Sequence, residues 1–135
     1  MKDSQEFFER RIITGMIVSK DFLDRVERFW DSTLLESPEL RMIADWCMEY
    51  YRKYNRAPDT NIESIYMASL KENFLSKSDA QYIEEVLTSL SDEYGRGSQF
   101  NSAYLYDQAV KYLKARELEK HKEEIQGLID TGKVE

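Results

Sequence analysis

From one end of this 135-residue chain to the other, apolar side chains recur at spacings of three and four, and nowhere do they alternate with polar residues as a half-buried strand requires. That period confines the chain to an all-α architecture, because residues spaced for one face of a helix cannot line one face of a sheet. Scarcity of Gly (5) and Pro (2) removes the usual breakers and favours long helices. The length suits a single domain with one core and is too short for a two-domain enzyme.

Local signals divide the pattern into about six helices. Phe8, Ile12, Ile13, Met16 and Ile17 share a face over roughly residues 4–18, after Asp3 and Glu6 in capping-box positions. Ser19 is placed to cap a short second helix carrying Phe22, Leu23, Val26, Phe29 and Trp30. Ser37-Pro38 starts a third: the serine oxygen accepts an orphan N–H, and proline takes the first helical position, where its missing donor costs nothing. The stripe of that helix is Leu40, Ile43, Ala44, Cys47, Tyr50, Tyr51 and Tyr54, and Asn55-Arg56-Ala57-Pro58-Asp59 ends it. Thr60 with Glu63 reads as a capping box for a fourth helix through Ile62, Ile65, Tyr66 and Leu70. Ser78 with Gln81 repeats the device before Tyr82, Ile83, Val86, Leu87 and Leu90, and Gly95-Arg96-Gly97-Ser98 closes that fifth helix as a turn.

Asn101 caps the last helix, which runs to about Thr131 and so extends ~45 Å at ~1.5 Å per residue. Its first half carries Leu105, Tyr106, Ala109, Val110, Tyr112 and Leu113. From Lys114 to Glu124 only Ala115 and Leu118 are apolar, before Ile125, Leu128 and Ile129. The second half thus lacks a wide core-facing stripe and is expected to project, helped by pairs such as Asp107 with Lys111. Residues 1–100 read as a helical globule and 101–135 as a long helix belonging to the same domain.

Charge and cysteine content narrow the function. With 26 acidic against 19 basic residues, net −7, the surface is unsuited to neutralising phosphates, and strong nucleic-acid binding is not expected. Cys47 alone forms no internal disulfide, and with the lone His121 it cannot supply the four ligands of a structural zinc site. The opening MKDSQEFFERR lacks a secretory apolar region and no run of 18 apolar residues occurs, so a soluble cytoplasmic chain without membrane contact is the default.

One near-motif calls for a decision. Gly127-Leu128-Ile129-Asp130-Thr131-Gly132-Lys133 has the spacing of a phosphate-binding loop, but Val134 stands where the magnesium-binding Ser or Thr belongs. A charged helix, not a strand, precedes it, so Gly132 reads instead as a left-handed helix cap. His121 lies among Glu119, Lys120, Lys122 and Glu123 and reads as surface; Cys47, between Trp46 and Met48, reads as inert core. The carboxylate runs Glu84-Glu85 and Glu123-Glu124 read as helix surface. No catalytic, cofactor-binding or metal-binding residue can be named, and the chain itself is read as non-enzymatic.

Several segments together are similar to another pattern. Glu9-Arg10-Arg11-Ile12-Ile13-Thr14-Gly15-Met16-Ile17, with its small residue before an apolar pair, is followed by Phe22 and Val26, then by Leu40 and Ile43. Tyr54-Asn55-Arg56-Ala57-Pro58-Asp59 forms an aromatic, turn and Pro/Asp junction, and Tyr106, Ala109, Val110, Lys111, Tyr112, Leu113, Lys114 and Arg116 open a long helix. In this order and across nearly the whole chain, these elements resemble the N-terminal domain of DnaB-type replicative DNA helicases, particularly phage ones. Asn55 stands where that family often has Gly, and Asn also tolerates positive φ.

The resemblance implies a non-catalytic collar domain of a ring-shaped helicase at the replication fork. The long helix would be the first arm of a projecting hairpin whose second helix starts near Val134. The domain would associate with its own copies and recruit primase or a helicase loader. ATP and magnesium would belong to a separate C-terminal motor domain, and the parent would be the ATP-dependent helicase. The contact stripe implied is Tyr106, Val110, Leu113, Leu118 and Ile125; equally open is that its first three members pack only inside the domain. Two other binding modules remain, the helicase-binding helical domain of a primase and a free-standing phage adaptor; a small acidic hydrolase is the enzymatic rival, disfavoured because no base, nucleophile and oxyanion group can be named.

Overall fold

The chain forms six α-helices in a computed structural model that describes residues 2–72, 75–94 and 101–131. They are α1 (Lys2–Val18), α2 (Lys20–Val26), α3 (Pro38–Tyr54), α4 (Asn61–Lys71), α5 (Lys77–Tyr94) and α6 (Ser102–Asp130), with short 3-10 turns at Glu27–Phe29 and Ser32–Leu34 between α2 and α3. No strand occurs among the described residues.

Helix α1 is the hub. It packs against α2, α3 and α6, and every residue from 12 to 17 is buried, so helices surround it on more than one side. Around Ile12, Ile13 and Met16 close Phe22 and Leu23 of α2, Leu40, Ile43 and Cys47 of α3, Ile83 of α5, and Leu105 and Ala109 of α6. Gly15 explains part of this geometry: a Cβ there would stand 2.5 Å from Leu105 Cδ2 and 2.9 Å from the Phe22 ring. The small residue before the Met16-Ile17 pair lets α2 and α6 approach α1 together. α4 and α5 complete the globule against α3.

Three caps form where the sequence places them. Ser19 Oγ accepts from Phe22 N–H at 3.0 Å, Ser37 Oγ from Leu40 N–H at 3.3 Å, and Asn101 Oδ1 from Tyr104 N–H at 3.0 Å. Asn55 ends α3 in the left-handed region, φ 56°, donating to Tyr51 O at 2.7 Å. Asp59 is also left-handed, φ 52°, and its N–H reaches Ile17 O at 2.7 Å, tying the α3–α4 turn to the end of α1.

Elsewhere the local signals mislead. Thr60 makes no capping bond, because its backbone is already helical, φ −62° and ψ −20°, whereas a capping side chain works from extended backbone. α5 starts at Lys77, so Ser76 and not Ser78 is positioned to cap it; Ser76 Oγ accepts from Asp79 N–H at 3.1 Å. α1 already includes Asp3, which is therefore no cap. α2 stops at Val26, leaving Phe29 in a 3-10 turn and Trp30 just after it. The α3 stripe runs off the core: Tyr50 and Tyr51 are half-buried and Tyr54 exposed, while Met48 is buried. The turn expected at residues 95–98 lies outside the described residues.

Candidate assembly surface on the C-terminal helix

The root of α6 is fixed in two ways. Leu105, Ala109 and Leu113, four residues apart, face the core and are buried. Alongside them, Tyr112 reaches a buried carboxylate. Glu9 is 1% exposed and shares the α1 face of Ile12, Ile13 and Met16. Its carboxylate accepts from Glu36 N–H at 2.8 Å, Ser37 N–H at 3.2 Å and the Tyr112 hydroxyl at 2.6 Å. The two amides lie at the N-terminal end of α3, where the helix dipole favours a negative charge. One side chain thus joins α1, α3 and α6, and a buried charge held by several donors is an ordered junction and not a solvated one. Burial, and then the hydrogen bond to Glu9, push the Tyr112 hydroxyl well above the usual tyrosine range. Phe8 stacks on the Tyr112 ring at 6.0 Å.

Beyond Tyr112 the attachments thin out. Arg116 Nε donates to Leu34 O at 3.2 Å and Lys120 Nζ to Thr33 Oγ1 at 3.1 Å, both in the second 3-10 turn. Asp31 holds that turn, accepting from the Thr33 hydroxyl at 2.6 Å and its N–H at 3.0 Å. The Thr33 hydroxyl is the main reason the Asp31 carboxyl lies below its ordinary range. Every residue from 117 to 131 is exposed, so α6 leaves the globule as an exposed helical arm of ~22 Å, tied back near its base by the Lys120–Thr33 bond.

The five residues of the expected contact stripe divide accordingly. Leu113 is 3% exposed and belongs to the core, so it offers nothing to a partner. Tyr106 and Val110 are half-buried, and Tyr106 lies 6.1 Å from Phe29 with the Arg25 guanidinium 5.8 Å from its ring. Leu118 and Ile125 are on the arm, 64% and 45% exposed. Leu128 and Ile129 join them at 46% and 55%, giving four large apolar side chains left substantially exposed. Beside the arm's base, Phe29, Leu34, Leu118 and His121 line an open groove of about 730 Å³, which sequence reading did not find because it is formed by residues some 90 positions apart.

Cys47 is fully buried and burial pushes its thiol up, away from a reactive thiolate. His121 is exposed. Residues Gly127 to Asp130 of the near-motif lie inside α6, where amides bond within the helix and are not presented to a phosphate. Gly132 and Lys133, with the proposed glycine cap, lie outside the described residues; Thr131 N–H bonds Gly127 O at 3.1 Å. Among the described residues no group of three or more His, Cys, Asp or Glu is arranged to hold a metal ion, and no helix is long and apolar enough to cross a membrane. Comparison with protein-family models, curated proteins and solved structures returns no match.

Proposed function

We propose that this chain is an assembly and protein-interaction domain without chemistry of its own, of the kind that forms the N-terminal collar of DnaB-type replicative helicases. The observation that carries the reading is the arm: a helix firmly rooted by Leu105, Leu113 and the Glu9–Tyr112 bond, then exposed from 117 onward with Leu118, Ile125, Leu128 and Ile129 about half open to water. A helix face of this sort is suited to receiving another helix, with Leu118 and Ile125 seven residues apart and Leu128 and Ile129 three and four residues beyond Ile125. In the proposed parent the arm would pair with its hairpin partner and with neighbouring copies. The globule would recruit primase or a loader, and ATP hydrolysis would reside in a separate domain.

The gene beyond the codon for Glu135 tests the helicase part of this reading. A linker, a strand and a complete G-x-x-x-x-G-K-[ST] followed by a helix are expected. A stop codon at that point would replace the helicase reading with a free-standing adaptor, and a catalytic primase region upstream would replace it with a primase interaction domain.

A further inference from the structure

A second unpartnered surface lies between α4 and α5, and no residue of α6 contributes to it. Tyr66, Met67, Leu70 and Leu87 form its floor, and the open cleft measures about 360 Å³. Tyr66 is pinned there by its hydroxyl, which donates to Ala80 O at 3.0 Å, while Met67 is 61% exposed and adaptable in shape. Glu63 of α4 and Glu84 of α5 form the two rims; both are exposed, and among the described residues neither has an ion-pair partner. An apolar floor between two helices, flanked on both sides by unneutralised carboxylates, is complementary to a third helix with an apolar stripe and basic flanks.

We propose that the α4–α5 cleft docks a basic amphipathic helix from a partner protein, with apolar side chains seated on Tyr66, Met67 and Leu87 and Lys or Arg against Glu63 and Glu84. The assignment gives the recruitment half of the proposed function its surface and rests on that reading. The residues proposed for self-association on α6 and those lining the cleft do not overlap.

The test titrates the full chain with a synthetic amphipathic helix of about 16 residues, leucines on one face and lysines on the other, followed by amide chemical shifts. Saturable binding is expected, with perturbed amides concentrated on α4 and α5. Glu63→Lys with Glu84→Lys should weaken it about tenfold or more, and Met67→Asp should weaken it as well. A control peptide with serines for the leucines should not bind the cleft. Binding of that control with equal strength, shifts centred on α6, or indifference to the charge reversals would overturn the proposal. Ile125→Glu should leave peptide affinity unchanged, which separates this test from that of the arm. If the charge reversals instead dissolved a homodimer, the cleft would belong to a second copy of the chain and the proposed partner would be wrong.

Discussion

Glu9 joins α1 to the start of α3 and the root of α6 through three accepted hydrogen bonds. Glu9→Ala would leave the Glu36 and Ser37 amides and the Tyr112 hydroxyl without their acceptor, at a cost of about 2–3 kcal/mol. Tyr112→Phe should cost only about 1 kcal/mol; urea unfolding midpoints measure both, and equal effects would mean the carboxylate is not the centre of the junction. At Gly15 the Leu105 and Phe22 contacts predict that Ala costs about 1–3 kcal/mol by overpacking, less the ~1 kcal/mol helix preference it gains. Asp31 is one source of pH dependence, beside Asp21 and Asp24, whose hydrogen-bonded carboxyls also lie below their ordinary range. The Asp31 carboxyl is lowered on folding, so its contribution is present above its unfolded value and lost as pH falls through the folded one. Asp31→Asn should flatten the acid limb of the stability profile while keeping the cap, and Asp31→Ala should also lose about 0.5–2 kcal/mol at neutral pH. Glu9 was not legible in the sequence because a carboxylate on a helix is ordinarily solvated. Its only signal is its place on the face of Ile12, Ile13 and Met16.

At the scale of the elements, the caps show what sequence can and cannot specify. Ser37-Pro38 and Asn101 were legible because cap and first turn are adjacent in the chain. Thr60 offers the same chemistry, but the left-handed Asp59 and its bond to Ile17 set the turn first and leave Thr60 already helical. The division of α6 was only half legible. The apolar stripe thins after Leu113, with only Ala115 and Leu118 before Ile125, which marks a second half that leaves the core; where burial ends is set by the position of the second 3-10 turn, a tertiary fact. Hydrogen exchange should follow that division, with slow amides through Leu113 and fast ones from 117 onward; uniform protection would contradict an exposed arm. Gly127 sits inside the arm with open space where a Cβ would go. Gly127→Ala should therefore add helicity and about 0.5–1 kcal/mol to the arm, read by circular dichroism.

For the whole molecule, the all-α class, the helix order and the long last helix followed from apolar spacing and the shortage of breakers. The α4–α5 cleft and the groove at the base of the arm did not, since each joins residues that only folding brings together. The proposed assembly role requires the arm to be an interface. Four apolar side chains worth at most ~1.5–3 kcal/mol each, set against an association cost of about 4–15 kcal/mol, give a weak and reversible contact. Leu118→Glu and Ile125→Glu, at exposed positions, should leave stability within about 0.5 kcal/mol of the parent chain. Sedimentation across a wide concentration range, on the parent chain and these two variants, tests that requirement most directly. Concentration-dependent association that weakens in both variants with helicity retained is the expected result; a strict monomer at the highest concentration, or a dimer indifferent to both substitutions, would contradict it.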